Sequence, residues 1–142
     1  MIEGVEITPL QFEYMESGRE FDLLLSKFKG LKKFECLNFT TTHPQEIHSW
    51  RVYADLTKLM ICFIGTIKLV LFDGRRDSET FGELTEAMVG EHQLQVFSIP
   101  NDVYHGWKCL SDRTAWVMQA YSKTNPKAGR LPFNTDLIPY CW

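Results

Sequence analysis

Apolar and polar residues alternate in short runs along this chain, and most runs end on a proline, glycine, asparagine or aspartate. That punctuation predicts strands rather than helices. A first strand is expected over 5–10, stopping near Pro9. A short helix or turn is expected over 20–31, where Phe21, Leu24, Leu25 and Phe28 fall at helical spacing. Residues 34–41 read as a strand closed by Thr42-His43-Pro44, and 47–53 as a short strand or an approach loop. The apolar stretches 59–64 and 66–72 meet at Gly65, which suits a tight hairpin or a bend. Residues 84–90 are ambiguous. A strand over 93–99 ends at the turn signal Pro100-Asn101-Asp102. Residues 107–110 and the long strand 114–121 flank the turn Ser111-Asp112-Arg113. The tail 125–142 contains three prolines and reads as extended.

Many short strands at regular spacing predict an all-β sandwich or barrel. Its central strands are apolar on both sides, as where one sheet packs on another. With 142 residues and no repeat or linker, residues 1–142 form one expected domain. Aromatic residues reach 13%, enough to fill a β-core or line a pocket. The net charge of −3 argues against a nucleic-acid partner, and the small cluster Lys27, Lys29, Lys32, Lys33 reads as a solvated face. The four cysteines form no C-x-x-C pair, so neither a zinc knuckle nor a redox motif is indicated. The first residues lack the basic and apolar regions of a signal peptide, and the apolar run 59–64 is too short to span a bilayer. A cytoplasmic protein with reduced thiols and no membrane contact is the expectation.

Candidate chemistry gathers around two histidines beside apolar strands, His48 and His105, and a lysine at a strand start, Lys58. Histidine titrates near neutral pH and suits proton transfer. Each residue also has a plainer reading. Lys58 would send its head to solvent, His105 would satisfy backbone groups at a bend, and Arg51 would be a solvated charge. Asp73 with Arg75 and Arg76 reads as a structural turn network. His48 is followed by Trp50 rather than a second histidine, and no glutamate lies at useful spacing, so no metal site is expected.

One longer pattern carries more. His48 is followed ten residues later by Lys58-Leu59, then an apolar strand, Gly65, a further apolar strand, Asp73, Arg75-Arg76 and Asp77-Ser78-Glu79-Thr80-Phe81-Gly82. Ile99-Pro100, His105-Gly106-Trp107 and Leu110-Ser111 follow in register, with Phe34 and Asn38 before and residues 134–142 at the close. In these residues the chain resembles the dTDP-4-dehydrorhamnose 3,5-epimerase family, a branch of the cupin-like jelly rolls. The resemblance implies a cupin-type double-stranded β-helix, no cofactor, and a homodimer in which N-terminal strands extend the partner's sheet. It implies a sugar-nucleotide epimerase or isomerase acting by proton abstraction beside the ketone of a nucleoside diphosphate 4-keto-6-deoxy sugar. A non-catalytic sugar-nucleotide-binding cupin and a metal-dependent cupin enzyme are the rivals.

In that reading His48 is the base, Lys58 steadies the enolate oxygen, Asp136 orients the imidazole and Tyr121 supplies the second proton. His105 and Asn38 line the pocket, Arg51 meets the diphosphate, and Trp50, Tyr104 and Trp107 are further substrate contacts. Tyr53 and Tyr104 are alternative phenols. Several family residues differ here. The general-acid tyrosine aligns with Met118, an Arg-Gly-Leu before the histidine becomes Gln45-Glu46-Ile47, and an N-terminal arginine is lost or displaced. The closing aspartate falls on Thr135 or, with a one-residue slip, on Asp136. Tyr121 and Met118 are three apart, so they should face opposite sides unless a bulge lies near Gln119.

Overall fold

Alternation with period two dictates two-faced strands, and in the computed structural model these stack into two antiparallel sheets. The structure describes residues 1–23 and 33–142. The helix or turn expected over 20–31 falls mostly outside them. The strands are β1 (Glu6–Pro9), β2 (Glu13–Met15), β3 (Gly18–Glu20), β4 (Cys36–Thr42), β5 (Ile47–Val52), β6 (Lys58–Ile64), β7 (Thr66–Asp73), β8 (Leu84–Gly90), β9 (Gln95–Ile99), β10 (Val103–Cys109), β11 (Ala115–Tyr121) and β12 (Gly129–Arg130). One sheet runs β1-β9-β6-β11-β4 and the other β12-β5-β10-β7-β8, while β2 and β3 form a separate hairpin. This is the all-β sandwich expected from the strand pattern, and the jelly roll that the resemblance implies. No helix among the described residues is long and apolar enough to cross a membrane.

Gly65 makes a bend, not a hairpin, because β6 and β7 belong to different sheets. Its φ is +77°, and a Cβ there would sit 2.8 Å from the Ser111 hydroxyl and 3.0 Å from the Ala115 backbone. Only glycine combines that dihedral with so close an approach. The ambiguous 84–90 stretch is a full strand paired with β7. Strand β10 begins at Val103, so His105 lies inside a strand and not at a bend. The β2–β3 hairpin has no counterpart in the sequence-based expectation.

Inward-facing residues of both sheets fill the space between them. Met60, Leu69, Leu71, Phe97, Ile99 and Val117 are among the residues of this apolar core, each almost fully buried. Each such side chain contributes about 1.5–3 kcal/mol of burial. A second cluster, Leu59, Ile61, Leu94, Val96 and Ala120, lies on the outer face of the first sheet. A third packs the tail residues Ile138, Tyr140 and Trp142 onto Trp50 and Val70 of the second sheet. The inner apolar core fills one end of the roll and leaves the other end polar.

The stretch 73–80 is a polar knot. Asp73 is fully buried. Its two oxygens accept from the Arg75 backbone N–H (3.0 Å), Arg75 Nε (2.9 Å), Arg75 Nη2 (2.7 Å), Ser78 Oγ (2.7 Å) and Thr80 Oγ1 (2.6 Å). Arg75 also donates to the Glu3 carbonyl (2.7 Å), and the Glu3 N–H donates to Thr80 Oγ1 (2.9 Å). The Asp-Gly-Arg-Arg-Asp-Ser-x-Thr signature therefore ties the N-terminal segment to the β7–β8 loop, as its structural reading expects. These bonds outweigh burial and hold the Asp73 carboxyl below the usual carboxylate range.

Asp73→Asn should lower unfolding free energy by about 3 kcal/mol in urea titrations near neutral pH. The native pKa is depressed, so Asp73's contribution is present above about pH 4 and lost as pH falls below it. The variant should lose less stability over that acid range than the parent.

Candidate functional site

The polar end of the roll is built by one face of six strands. Period two places Asn38 and Thr40 of β4, Lys58 of β6, His105 and Trp107 of β10, and Gln119 and Tyr121 of β11 on the inner side. Strand β5 breaks its own alternation. His105 pairs with Arg51, and Trp107 pairs with His48, so two residues of β5 oppose the single Gly106. This bulge lets His48 and Arg51, three apart, face the same cavity while Trp50 points outward. Gly106 makes room for it. A Cβ at 106 would lie 3.0 Å from the His48 carbonyl and 3.0 Å from the Trp142 ring.

At the floor, Lys58 Nζ lies 2.7 Å from His105 Nε2. Both side chains are about 1% exposed. His105 Nδ1 lies 3.3 Å from the Val103 carbonyl, which only accepts, so that nitrogen carries the proton. Nε2 then accepts from Lys58. The rings of Trp107, Tyr53 and Tyr121 surround the amine at 5.5, 5.8 and 6.0 Å from their centres. Burial pulls the Lys58 pKa well below the ordinary lysine value, and Arg51 adds to the effect. Burial likewise keeps His105 neutral, reinforced by Lys58. The lysine head does not reach solvent, contrary to its plainer reading.

Above that floor His48 stacks on Trp107, with ring centres 4.0 Å apart and planes within 6°. Its pKa is lowered to about 3, by burial first and then by Arg51, Lys58 and Arg130. The imidazole is therefore neutral near pH 7. Beside it runs a hydrogen-bonded chain. Tyr53 donates to the Tyr121 hydroxyl (3.3 Å), which donates to Gln119 Oε1 (3.1 Å). Gln119 Nε2 donates to Asn38 Oδ1 (3.0 Å) and Thr40 Oγ1 (2.7 Å). Burial first, then Tyr53, raises the Tyr121 pKa, so its phenol keeps its proton. These groups, with Arg51 and Arg130, border a cavity of about 400 Å³. A larger open basin of about 700 Å³ lies over Tyr104, Arg76 and Asp102, but none of His48, Lys58 or His105 lines it.

The structure thus gathers His48, Lys58, His105, Tyr121, Asn38 and Arg51 at one end of the roll. Trp107 belongs there too, but it is fully buried beneath His48. Trp50 and Tyr104 lie on the opposite face of the second sheet, packed with Val70 and Phe72, so neither faces the cavity. Asp136 is exposed on the tail, and the charges acting on His48 are all cationic. No bulge is needed for Tyr121. It already faces inward, and Met118 faces outward against the second cluster. A phenol at position 118 would therefore point away from the cavity. Gln119 and Arg130 are the site residues that sequence reasoning missed. Counting back two from Tyr121 signals Gln119, whereas nothing in the sequence marks the two-residue strand that carries Arg130.

The family model for dTDP-4-dehydrorhamnose 3,5-epimerase matches residues 40–134. A probable low-salt glycan biosynthesis epimerase, Agl13 of Haloferax volcanii, is 29% identical over 99% of this chain and 94% of its own length. The spore coat polysaccharide biosynthesis protein SpsL of Bacillus subtilis is 25% identical over 100% of this chain and 97% of its own. A dTDP sugar isomerase from Desulfovibrio desulfuricans superposes with a TM-score of 0.92 at 25% identity, over 99% of this chain and 92% of that one. A dTDP-6-deoxy-D-glucose-3,5-epimerase from Legionella pneumophila, in complex with dTDP-4-keto-L-rhamnose, shares the fold. Its TM-score is 0.84 at 18% identity, over 100% of this chain and 80% of its own.

The depressed His48 pKa has a thermodynamic consequence. The unfolded chain takes up this proton below pH 6.5 and the native protein only near 3, so His48 stability is intact above 6.5 and lost as pH falls between the two. His48→Gln should recover about 1 kcal/mol of unfolding free energy relative to the parent between about pH 6 and pH 5, in paired urea titrations. Lys58 and His105 remain in the variant and keep part of the slope.

Proposed function

Taking as premise that the chain belongs to the dTDP-4-dehydrorhamnose 3,5-epimerase family, we propose that it is a sugar-nucleotide epimerase or isomerase. It removes a proton from the carbon beside the ketone of a nucleoside diphosphate 4-keto-6-deoxy sugar. The observation that carries this reading is the neutral imidazole of His48 at the cavity wall, above the buried Lys58–His105 pair. His48 is the base. It needs no deprotonation step at neutral pH, and the Trp107 face holds its plane. The enolate oxygen that forms is drawn to the Lys58 amine, whose field acts through a low-dielectric floor. Tyr121 is the proton donor for the other face, with Tyr53 donating to its oxygen and Gln119 aligning its hydroxyl. Among the described residues no carboxylate acts on His48, so stacking and the bulge set its orientation instead. Similarity to a probable glycan biosynthesis epimerase and to a dTDP sugar isomerase supports the same reading.

The missing carboxylate beside His48 favours one rival, a sugar-nucleotide-binding protein without turnover. The two differ in one measurement. The enzyme incorporates deuterium from solvent at the carbon beside the ketone of a dTDP-4-keto-6-deoxy sugar, and the binder does not.

The proposed assembly is a homodimer. Among the described residues strand β1 is the outermost strand of its sheet, the position at which a second copy's strand would extend it. The outer face of that sheet exposes Leu37 (43%), Phe39 (51%) and Trp116 (41%).

His48→Asn should slow deuterium incorporation about 10²- to 10⁴-fold while the melting transition stays cooperative. Retention of the parental rate would remove His48 from the mechanism. Phe39→Asp should shift the protein toward monomer in sedimentation velocity, and a parent already monomeric at tens of micromolar would refute the dimer.

A further inference from the structure

The tail 131–142 crosses the outer face of the second sheet and is fastened at several points. The Leu131 N–H donates to the Trp50 carbonyl at 3.2 Å. Ile138 clusters with Trp50 and Val70. The Tyr140 hydroxyl donates to Glu86 of β8, and Lys68 of β7 lies 5.3 Å from the centre of its ring. One further contact falls on the bulge itself. A Cβ at Gly106 would lie 3.0 and 3.2 Å from two atoms of the Trp142 ring and 3.0 Å from the His48 carbonyl. Ring and carbonyl therefore meet over one glycine. The same ring lies 5.2 Å from Trp50 and 5.0 Å from Tyr140, centre to centre. Trp142 thus packs on both strands of the bulge from outside, at Gly106 of β10 and at Trp50 of β5.

The alternative to a bulge is a regular ladder. With Arg51 kept opposite His105, as it is here, a regular ladder would put Trp50 opposite Gly106 and Ser49 opposite Trp107. His48 would then take the outward side, because a slip of one residue exchanges the two faces. A ring at position 50 placed directly opposite Gly106 would claim the space that Trp142 fills. We propose that Trp142 is a positioning residue for His48: its ring, seated on Gly106 and Trp50, holds the β5–β10 bulge that turns the imidazole into the cavity. Trp142 does not line that cavity, so it acts only through the backbone it covers. Support of this kind matters for a base, since a displacement of about 1 Å can cost a hundredfold in rate. The inference rests on the proposed role of His48 as the base and names what keeps that base in place.

The test uses the full chain and two readouts. One is the NMR signal of the His48 ring protons, shifted upfield by the Trp107 ring stacked 4.0 Å away and assigned by its loss in His48→Asn. The other is deuterium exchange into a dTDP-4-keto-6-deoxy sugar. In Trp142→Ala the His48 signals should move toward those of free imidazole. Its kcat for exchange should fall about ten- to hundredfold while KM stays within about threefold. Trp142→Phe should restore both, because a ring remains and the Trp142 indole N–H has no hydrogen-bond partner to lose among the described residues. Tyr140→Phe loses the bond to Glu86, so it should melt lower yet leave the His48 signals in place. Trp142→Leu keeps apolar volume without the flat ring and decides in the same way if Trp142→Ala does not fold. Parental His48 signals in the alanine or leucine variant overturn the inference. So does equal displacement of those signals in Trp142→Phe or Tyr140→Phe. Displacement as expected, with no exchange by the parent, would overturn the enzymatic reading alone.

Discussion

A buried amine without a carboxylate governs the architecture of the site. Lys58 is held at the floor by one imidazole, which burial and Lys58 itself keep neutral and whose other nitrogen donates to the Val103 carbonyl. Placing an amine in an apolar interior costs several kcal/mol unless its donors are met. The contact with His105 and the three surrounding aromatic faces offset that cost, and the apolar core below excludes water. Everything above this layer is arranged around it. His48 lies on the ring of Trp107, Tyr53 stacks against His105 at 6.0 Å between ring centres, and Tyr121 closes the other side.

Most of the strands were legible in the sequence because period two and turn residues are local signals. The facing of Lys58, His105, Asn38 and Tyr121 follows from the same alternation. The bulge in β5 was not legible. It is a relation between two strands, and it reverses the parity that simple counting assigns from His48 onward, sending Trp50 outward while Arg51 stays in. Position 118 shows a related limit. The resemblance aligns the family's general-acid tyrosine with Met118, but register within β11 turns that position outward and brings Gln119 into the cavity. Tyr104 was misplaced for the same reason, one residue before an inward histidine. Asp136 was chosen by resemblance in a segment with no regular period, and there the neighbouring Ile138 is the residue that anchors.

The most specific run of residues, from Asp73 to Gly82, contributes nothing to the lining of the His48 cavity. The side chains of Asp73, Arg75, Ser78 and Thr80 are consumed by one another and by Glu3, so much of its specificity is that of a satisfied polar network. The residues nearest the chemistry are individually common types. What distinguishes them is location, an imbalance of positive charge with no acid beside it among the described residues, and a floor that keeps solvent out.

The cavity's walls come from β4, β5, β11 and β12, with Tyr53 and the segment 125–128, stretches that lie far apart along the chain. Neighbours such as β1 with β9 and β4 with β11 meet only after long loops have closed. Topologies of this kind fold in milliseconds to seconds, since entropy is lost before contacts reward it. The lining comes from two stretches far apart in the chain, 36–53 and 119–130, and neither alone encloses the pocket. Ligand recognition is therefore a property of the finished molecule alone, and a newly made chain is inert toward its ligand until its last strands have docked.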